Sequence, residues 1–472
     1  MQHASSKSLG FALVIGLAGV LVGSMDRALA QQTFDEWLKQ DQAAFQQYKA
    51  EVTKEYQDWL EKDRKAFQEF VKEAGGKWGK DNVWTPQVKT WVQYTTDLEE
   101  RSAVDFERGV ARVQVLIDSE ADVSPEDIKA AIQDGIQRVV LSGTLDPVDM
   151  ISQQMSGTVA KDAPRRRTLN EIPSFSSYKI QAGDTVWGLA RRFDILEPDL
   201  NKLNRMQPGT SLPSGKKILV PFVDPAKRTA VIGASANPIL DRQVRMADGR
   251  PVSKDNAAEY ARERVAAQPP VLAPVTRDDG KKVREATVEF KLAPDHLKVR
   301  AEKYLPLVSR YASKFELDPS LVFALIHTES AFNPRARSGV PAYGLMQLVP
   351  QSGGRDAYQL VYGEDKLVTG PYLFEPKNNI ELGTALLRVI GTRYLKAVQD
   401  PKSRMYCTIA AYNTGAGNVC KAFGNTTSVS RAAPIINGMT PEEVYGRLKS
   451  NLPYEETRNY VVRVTERMPL YR

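Results

Sequence analysis

The chain runs to 472 residues, 42% hydrophobic and 26% charged, which excludes a disordered or collagen-like polymer and suffices for about three domains of roughly 100–200 residues. Its 64 Lys and Arg against 57 Asp and Glu leave a net charge of +7, slight for a nucleic-acid binder and suited to an anionic polymer. Two cysteines and three histidines exclude a disulfide scaffold, a four-cysteine zinc site and a histidine-rich centre, so polar catalysis with no metal and no cofactor is expected.

Residues 1–30 read as a signal peptide: Lys7 supplies a weakly basic start, an apolar run extends from Leu9 to Gly23, and Ala28-Leu29-Ala30 is a small-x-small cleavage site. The run is short of the about 20 residues that a bilayer core needs, so cleavage is favoured over a retained anchor. No cysteine follows it to carry a lipid. From Phe34 the aromatics pair at a period of eleven: Phe34 with Trp37, Phe45 with Tyr48, Tyr56 with Trp59, Phe67 with Phe70. Eleven residues in three turns is close to the straight-helix repeat, which predicts one helix over 34–74 with a single aromatic stripe, stopped by Gly75-Gly76. The stripe would pack on the rest of the protein or a second copy, or else meet membrane or glycan.

Alternation predicts strands over 110–117 and 286–292. Ser124-Pro125 starts a helix through Leu141, Asn256 to Ala267 has helical spacing, and the Pro-rich Gln268 to Pro274 reads as a surface loop. Between the two strands, Tyr178 to Gln181 forms a short strand, Asp184 can cap a helix bearing Val186, Leu189, Ala190 and Phe193, Leu200 and Leu203 mark a second helix, and Ile218 to Pro221 is a final strand. This βααβ unit resembles the LysM domain in its Gly183-Asp184-Thr185 turn and its Leu212 to Pro221 close. The resemblance implies a ligand of N-acetylglucosamine-containing glycan, held by Gly183, Asp184, Thr185 and the Gln207 to Leu212 loop, Leu212 included. Neither flank alone has enough elements to close a layer, so the LysM unit (178–221) is expected as an insertion between two parts of one α+β N-terminal domain, 31–170 and 225–293.

From Pro294 the patterns are helical to the end, residues 294–472. Asp318-Pro319 opens a helix in which Leu321, Leu325 and Glu329 follow at four-residue steps, placing the carboxyl at the edge of an apolar line where its pKa would rise. The runs Glu329 to Pro334, Ala342 to Gln347, Ala411 to Gly415 and Glu456 to Val461 resemble the lytic transglycosylases of goose-type lysozyme fold. Of these, the chain is most similar to the membrane-bound lytic murein transglycosylase C family, at Gly353 to Asp356, Tyr372 to Pro376, Thr440 to Tyr445, Asn82-Val83-Trp84, Asp105 to Gly109 and Ala293 to Leu297.

That resemblance implies an α+β multidomain protein with a mostly helical, lysozyme-like catalytic domain. It makes Glu329 the acid and then base that cleaves the bond between N-acetylmuramic acid and N-acetylglucosamine, closing a 1,6-anhydro ring without water. Substrate contacts would come from Ser338, Met346, Gln347, Tyr412, Asn413 and Tyr460. No second carboxylate stands in a motif; Asp356, Glu364, Asp365 and Glu381 read as solvated or capping residues. Hydrolysis by the same fold, with a carboxylate such as Asp356 placing a water, and a non-catalytic wall-binding protein are the alternatives. His327 lies two residues from Glu329, on another side of the helix, and reads as a packed or exposed ring. Cys407 and Cys420 flank the Ala-Tyr-Asn-Thr-Gly turn, where export would permit a disulfide, with two buried thiols as the other outcome. The expected partners are peptidoglycan glycan strands, with no nucleic acid, and peripheral association with the outer membrane or wall complexes; the expected location is the periplasm.

Overall fold

The computed structural model describes residues 27–118, 123–143, 147–155, 166–222, 235, 237–277, 279–339 and 341–472. The apolar run of the expected signal lies outside them. The chain divides into two compact units, Met1–Gln57 and Asp58–Arg472. The described part of the first is helical, belonging to α1 (Arg27–Trp78), and the second holds the end of that helix and all the elements after it.

After α1 come β1 (Thr90–Tyr94), β2 (Glu100–Asp105), β3 (Val110–Asp118), α2 (Pro125–Leu141) and α3 (Pro147–Met155). Next in the chain are β4 (Phe175–Lys179), α4 (Val186–Arg192), α5 (Glu197–Asn204), β5 (Lys217–Pro221), α6 (Ala257–Ala267), β6 (Val271–Thr276) and β7 (Lys282–Lys291). The remainder is helical: α7 (His296–Lys314), α8 (Pro319–Ser330), α9 (Arg355–Tyr362), α10 (Gly370–Phe374), α11 (Pro376–Val389), α12 (Pro401–Thr414), α13 (Ala416–Lys421), α14 (Val429–Asn437), α15 (Pro441–Asn451) and α16 (Glu455–Arg467). The fold class is α+β with several domains.

The long helix outruns its expected stop. Gly75 and Gly76 stay helical, and the chain leaves α1 at Gly79, whose φ of 86° only glycine adopts without strain and whose N–H reaches Gly75 O at 2.9 Å. The aromatic stripe is less uniform than its period: Phe70 is buried, but Phe67 is 38% exposed. The side chains of Phe34, Trp37, Phe45 and Tyr48 lie outside the described part of the structure.

One antiparallel sheet has the order β1-β2-β3-β7-β6. The strands expected near 110 and 286 are neighbours in it, Val110 opposite Lys291 and Asp118 opposite Val283. Alternate side chains feed two cores. Val113, Val115, Ile117, Val288 and Phe290 pack under α2 and α6, while Val92, Tyr94, Leu116 and Val283 pack with Phe70, Trp78 and Ile151 from α1 and α3. The Pro-rich stretch is not a loop: β6 pairs with β7, Pro274 opposite Arg284. As the last strand of the sheet it has a free edge, where a residue lacking N–H costs no ladder bond.

β4 and β5 form a separate antiparallel pair, Tyr178 opposite Ile218, closed by α4 and α5 over a small core of Ile180, Leu189, Phe193, Leu200 and Val220. The cap of α4 is Thr185, which accepts from Gly188 N at 2.9 Å, and not Asp184. The Asp184 carboxylate instead accepts from Gln181 N (2.7 Å) and Tyr178 Oη (2.8 Å) and pairs with Arg192 (3.0 Å), which closes the turn ahead of the helix. Trp187 of α4 leaves this small core and packs into the core under α2.

Candidate functional site

Asp318 caps α8 by accepting from Ser320 N at 2.8 Å, and Pro319 takes the first helical position. Leu321 and Leu325 are buried, and Glu329, one turn on, is half-buried at the helix end. Tyr460 of α16 donates its hydroxyl to Glu329 Oε1 at 2.7 Å. Burial pushes the Glu329 carboxyl up to about 7; the Tyr460 hydrogen bond pulls the other way, the Glu456 charge raises it further, and Lys89 and Arg463 lower it. Burial and the same carboxylate hold the Tyr460 and Tyr412 hydroxyls well above their ordinary range, so both remain donors.

Tyr412 of α12 donates to Met346 O at 2.8 Å. Met346 itself does not line a cleft: its side chain is 0% exposed, its sulfur lies where a Cβ on Gly383 of α11 would stand, and its N–H donates to Asn379 Oδ1 at 2.8 Å. It anchors Tyr412 through its backbone. Gln347 is left-handed (φ 47°) and its Nε2 donates to Ala336 O (3.2 Å) and Gly344 O (3.0 Å). Ser338 is half-buried on the same loop, its N–H donating to Ala342 O at 3.3 Å. Asn413 accepts from Thr457 Oγ1 at 2.7 Å, which ties α12 to α16. Ser330, Asn379 and Thr457 lie inside motif runs of the sequence, but no site role was read for them; Ser330 Oγ donates to Leu345 O at 2.8 Å.

Behind Glu329 the chain turns through Ala331 (φ 48°) and Phe332 (φ 62°), both left-handed. Buried Arg300 of α7 holds that turn. Its Nε donates to Ala331 O at 3.1 Å, a second nitrogen donates to Phe332 O, a third to Gln243 Oε1 at 3.0 Å, and its guanidinium lies 3.5 Å from the Phe106 ring centre. Asn333 Nδ2 donates to Gln87 O and Val88 O at 3.3 and 3.2 Å. Two residues on, Arg335 pairs with Asp149 of α3, and Arg337 donates to both Asp63 oxygens of α1 at 2.9 Å. Trp59 of α1 meets Tyr343 edge-on at 5.6 Å. The loop that carries Ser338 and Gln347 is thus braced by the N-terminal part of the chain.

The four carboxylates weighed as partners for Glu329 are engaged elsewhere or exposed. Asp356 accepts from Tyr394 at 2.6 Å, Asp365 pairs with Arg355, Glu381 with Lys314 at 2.8 Å, and Glu364 is exposed. The carboxylate whose charge reaches Glu329 is Glu456, exposed one turn before Tyr460. His327 is buried, 2.9 Å from Tyr471 Oη, and burial with the Arg467 charge lowers it to about 4. Cys407 and Cys420 are free thiols, both buried; burial pushes Cys407 up to about 12 and raises Cys420, so neither carries thiolate at neutral pH. The expected disulfide gives way to the two-thiol alternative. Among the described residues no group of three His, Cys, Asp or Glu forms a ligand set.

In the βααβ unit, Gly183 (φ 88°) and its turn are exposed, and Leu212 packs against the small core. Thr185, expected at the glycan, is buried and donates to Asp127 Oδ2 of α2 at 2.8 Å. Its hydroxyl is occupied by the N-terminal part of the chain.

Residues 306–434 match the transglycosylase SLT domain, residues 178–221 the LysM domain, and residues 41–164 the N-terminal domain of membrane-bound lytic murein transglycosylase C. The membrane-bound lytic murein transglycosylase C of Serratia proteamaculans is 44% identical over 186 residues, 39% of this chain and 51% of that protein. Its namesake from Yersinia enterocolitica is 42% identical over the same length and coverage. The chain spans about half the length of the curated relatives it matches. Among solved structures, an inactive mutant of the lytic transglycosylase Slt from Pseudomonas aeruginosa is 28% identical at a TM-score of 0.28, covering 36% of this chain and 24% of that one. The 70 kDa soluble lytic transglycosylase of Escherichia coli is 27% identical at 0.30, covering 38% and 25%. With these three matches in one sequence, the chain is similar to the membrane-bound lytic murein transglycosylase C family in its N-terminal and catalytic parts, with a LysM match between them.

Proposed function

We propose that the protein is a peptidoglycan lytic transglycosylase with Glu329 as its single acid and base. One observation carries this reading: a carboxyl desolvated at the end of α8 to a pKa of about 7 and held by a neutral tyrosine donor, within the matched transglycosylase domain. Protonated Glu329 gives its proton to the glycosidic oxygen, and the bond from that oxygen to C1 of N-acetylmuramic acid breaks. The substrate's own N-acetyl oxygen stabilises the cation. The Glu329 carboxylate then takes the proton of the C6 hydroxyl, whose oxygen bonds to C1 and closes the 1,6-anhydro ring. The proton returns to Glu329 and no water is consumed.

Gln347 Oε1, Ser338, Tyr412 and Asn413 would orient the sugars, and Tyr460 would stabilise the carboxylate between the two proton transfers. The LysM unit, which lies in the chain between two strands of one sheet, would keep the enzyme on its polymer. Export to the periplasm with peripheral envelope attachment completes the reading; among the described residues no helix is long and apolar enough to cross a membrane. Hydrolysis by the same fold stands as the second reading; Asp356 is engaged by Tyr394, so the carboxylate to test for it is Glu456, whose charge acts on Glu329. Digesting peptidoglycan with the wild type and with Glu456→Gln separates the two: anhydro ends from both support the lyase, whereas reducing ends that vanish in the variant support hydrolysis.

A further inference from the structure

A cleft of ≈540 Å³ lies between the LysM unit and the N-terminal sheet, away from Glu329 and within the range of about 300–1,000 Å³ that small-ligand sites occupy. One wall is the LysM groove: Asp184, Thr185, Gly209, Thr210 and Leu212. The other wall is foreign to a LysM domain. It comes from the end of α1 and the β1–β2 and β6–β7 turns, and its polar members are Lys77, Glu99, Arg277 and Lys281. The two walls are fixed against each other: Thr185 is bonded to Asp127, Trp187 is packed under α2, and Arg191 of α4 pairs with Glu99 at 3.2 Å.

The second wall carries excess positive charge. Glu99 is shared by Lys77 (3.4 Å), Arg166 (3.1 Å) and Arg191 (3.2 Å), of which Arg166 also pairs with Asp97. Arg277 reaches Asp279 at 2.9 Å, but its Nε is buried with no partner. Lys281 is exposed and makes no ion pair among the described residues. On the LysM side Asp184 is already compensated by Arg192, and Glu197 adds one acidic group.

Resting on the LysM reading above, we infer that this cleft is a composite site for an N-acetylated glycan that bears carboxylates. The LysM wall holds the sugars, and Arg277 and Lys281 hold the lactyl or stem-peptide carboxylate that a neutral chitin-type chain lacks. The N-terminal domain thereby turns a general glycan binder into one that selects substituted peptidoglycan strands.

The test is calorimetric titration of full-length Glu329→Gln protein with two probes of equal length, a neutral N-acetylglucosamine oligomer and a peptidoglycan oligomer with its carboxylates intact. Two further variants are made in that background: the double charge reversal Arg277→Glu/Lys281→Glu, and Thr210→Trp, which fills the groove. The charge reversal is expected to weaken the carboxylate-bearing probe by about fivefold per cation and leave the neutral probe unchanged, with Thr210→Trp weakening both. If the charge reversal alters neither probe, or both alike, while Thr210→Trp weakens both, the composite site is wrong and the LysM reading stands. If Thr210→Trp alters neither, the LysM reading falls and the composite site with it.

Discussion

With a pKa of about 7, Glu329 is protonated in about half the molecules at neutral pH, where a carboxyl at its ordinary value would be protonated in fewer than about one in a hundred. The proposed acid step needs the protonated form, so on that proposal the rate should fall as pH rises through 7, which a pH profile of kcat/KM reads directly. Tyr460→Phe removes the hydrogen bond that lowers this pKa, so the falling limb should move to higher pH while kcat drops by of order tenfold. Stability has the opposite sign from an ordinary ion-paired carboxylate. The folded state holds this proton more tightly than the unfolded chain does, so ionisation destabilises the fold progressively from the unfolded value up to about 7 and fully above it. Glu329→Gln should therefore raise Tm above neutral pH and leave it unchanged below about pH 4, as scanning calorimetry at the two pH values would show. The residue scale also shows where a motif misleads. Met346 and Thr185 sit in the right stretches, yet the first points into the core and the second is bonded to α2, because a motif reports a position in the chain and not the direction of its side chain.

At the scale of elements, α8 was legible to the residue, since its cap, its first-turn proline and its four-residue steps all agree. The βααβ unit was legible in its order of elements, though β4 runs Phe175–Lys179 and α4 is capped by Thr185 and not Asp184. β1 and β2 were not: β2 reads Glu-Arg-Ser-Ala-Val-Asp, and its buried charges are satisfied only through tertiary partners, Glu100 by Arg138 and Arg101 by Gln114 and the rings of Trp78 and Trp84. Alternation cannot show a strand whose inward faces are polar. The turn after α8 was also hidden, because two consecutive left-handed residues that are not glycine depend on an arginine some thirty positions upstream. Arg300→Met should leave the carbonyls of Ala331 and Phe332 unpaired and cost about 2–3 kcal/mol in denaturant unfolding. As a positioning residue it should lower kcat more than it alters KM, with Arg300→Lys recovering part of the loss.

At the scale of the molecule, two strands separated by the LysM segment pair in one sheet, and the N-terminal part of the chain touches both candidate sites. It braces the Ser338–Gln347 loop through Asp63, Asp149 and Trp59, and it forms a wall of the LysM cleft. A Cβ on Gly188 would collide with the Asp127 carboxylate, so Gly188→Ala should undock the LysM unit and speed its release by limited proteolysis, leaving the helical core of 294–472 intact. That docking was invisible in the sequence, where the unit reads as self-contained. The central claim, one glutamate acting without water, is tested most directly by mass spectrometry of the sugar ends released from purified peptidoglycan by the wild type and by Glu329→Gln. The account predicts 1,6-anhydro ends, lighter than reducing ends by one water, from the wild type and none from the variant. Reducing ends from the wild type, or undiminished release by Glu329→Gln, would contradict it.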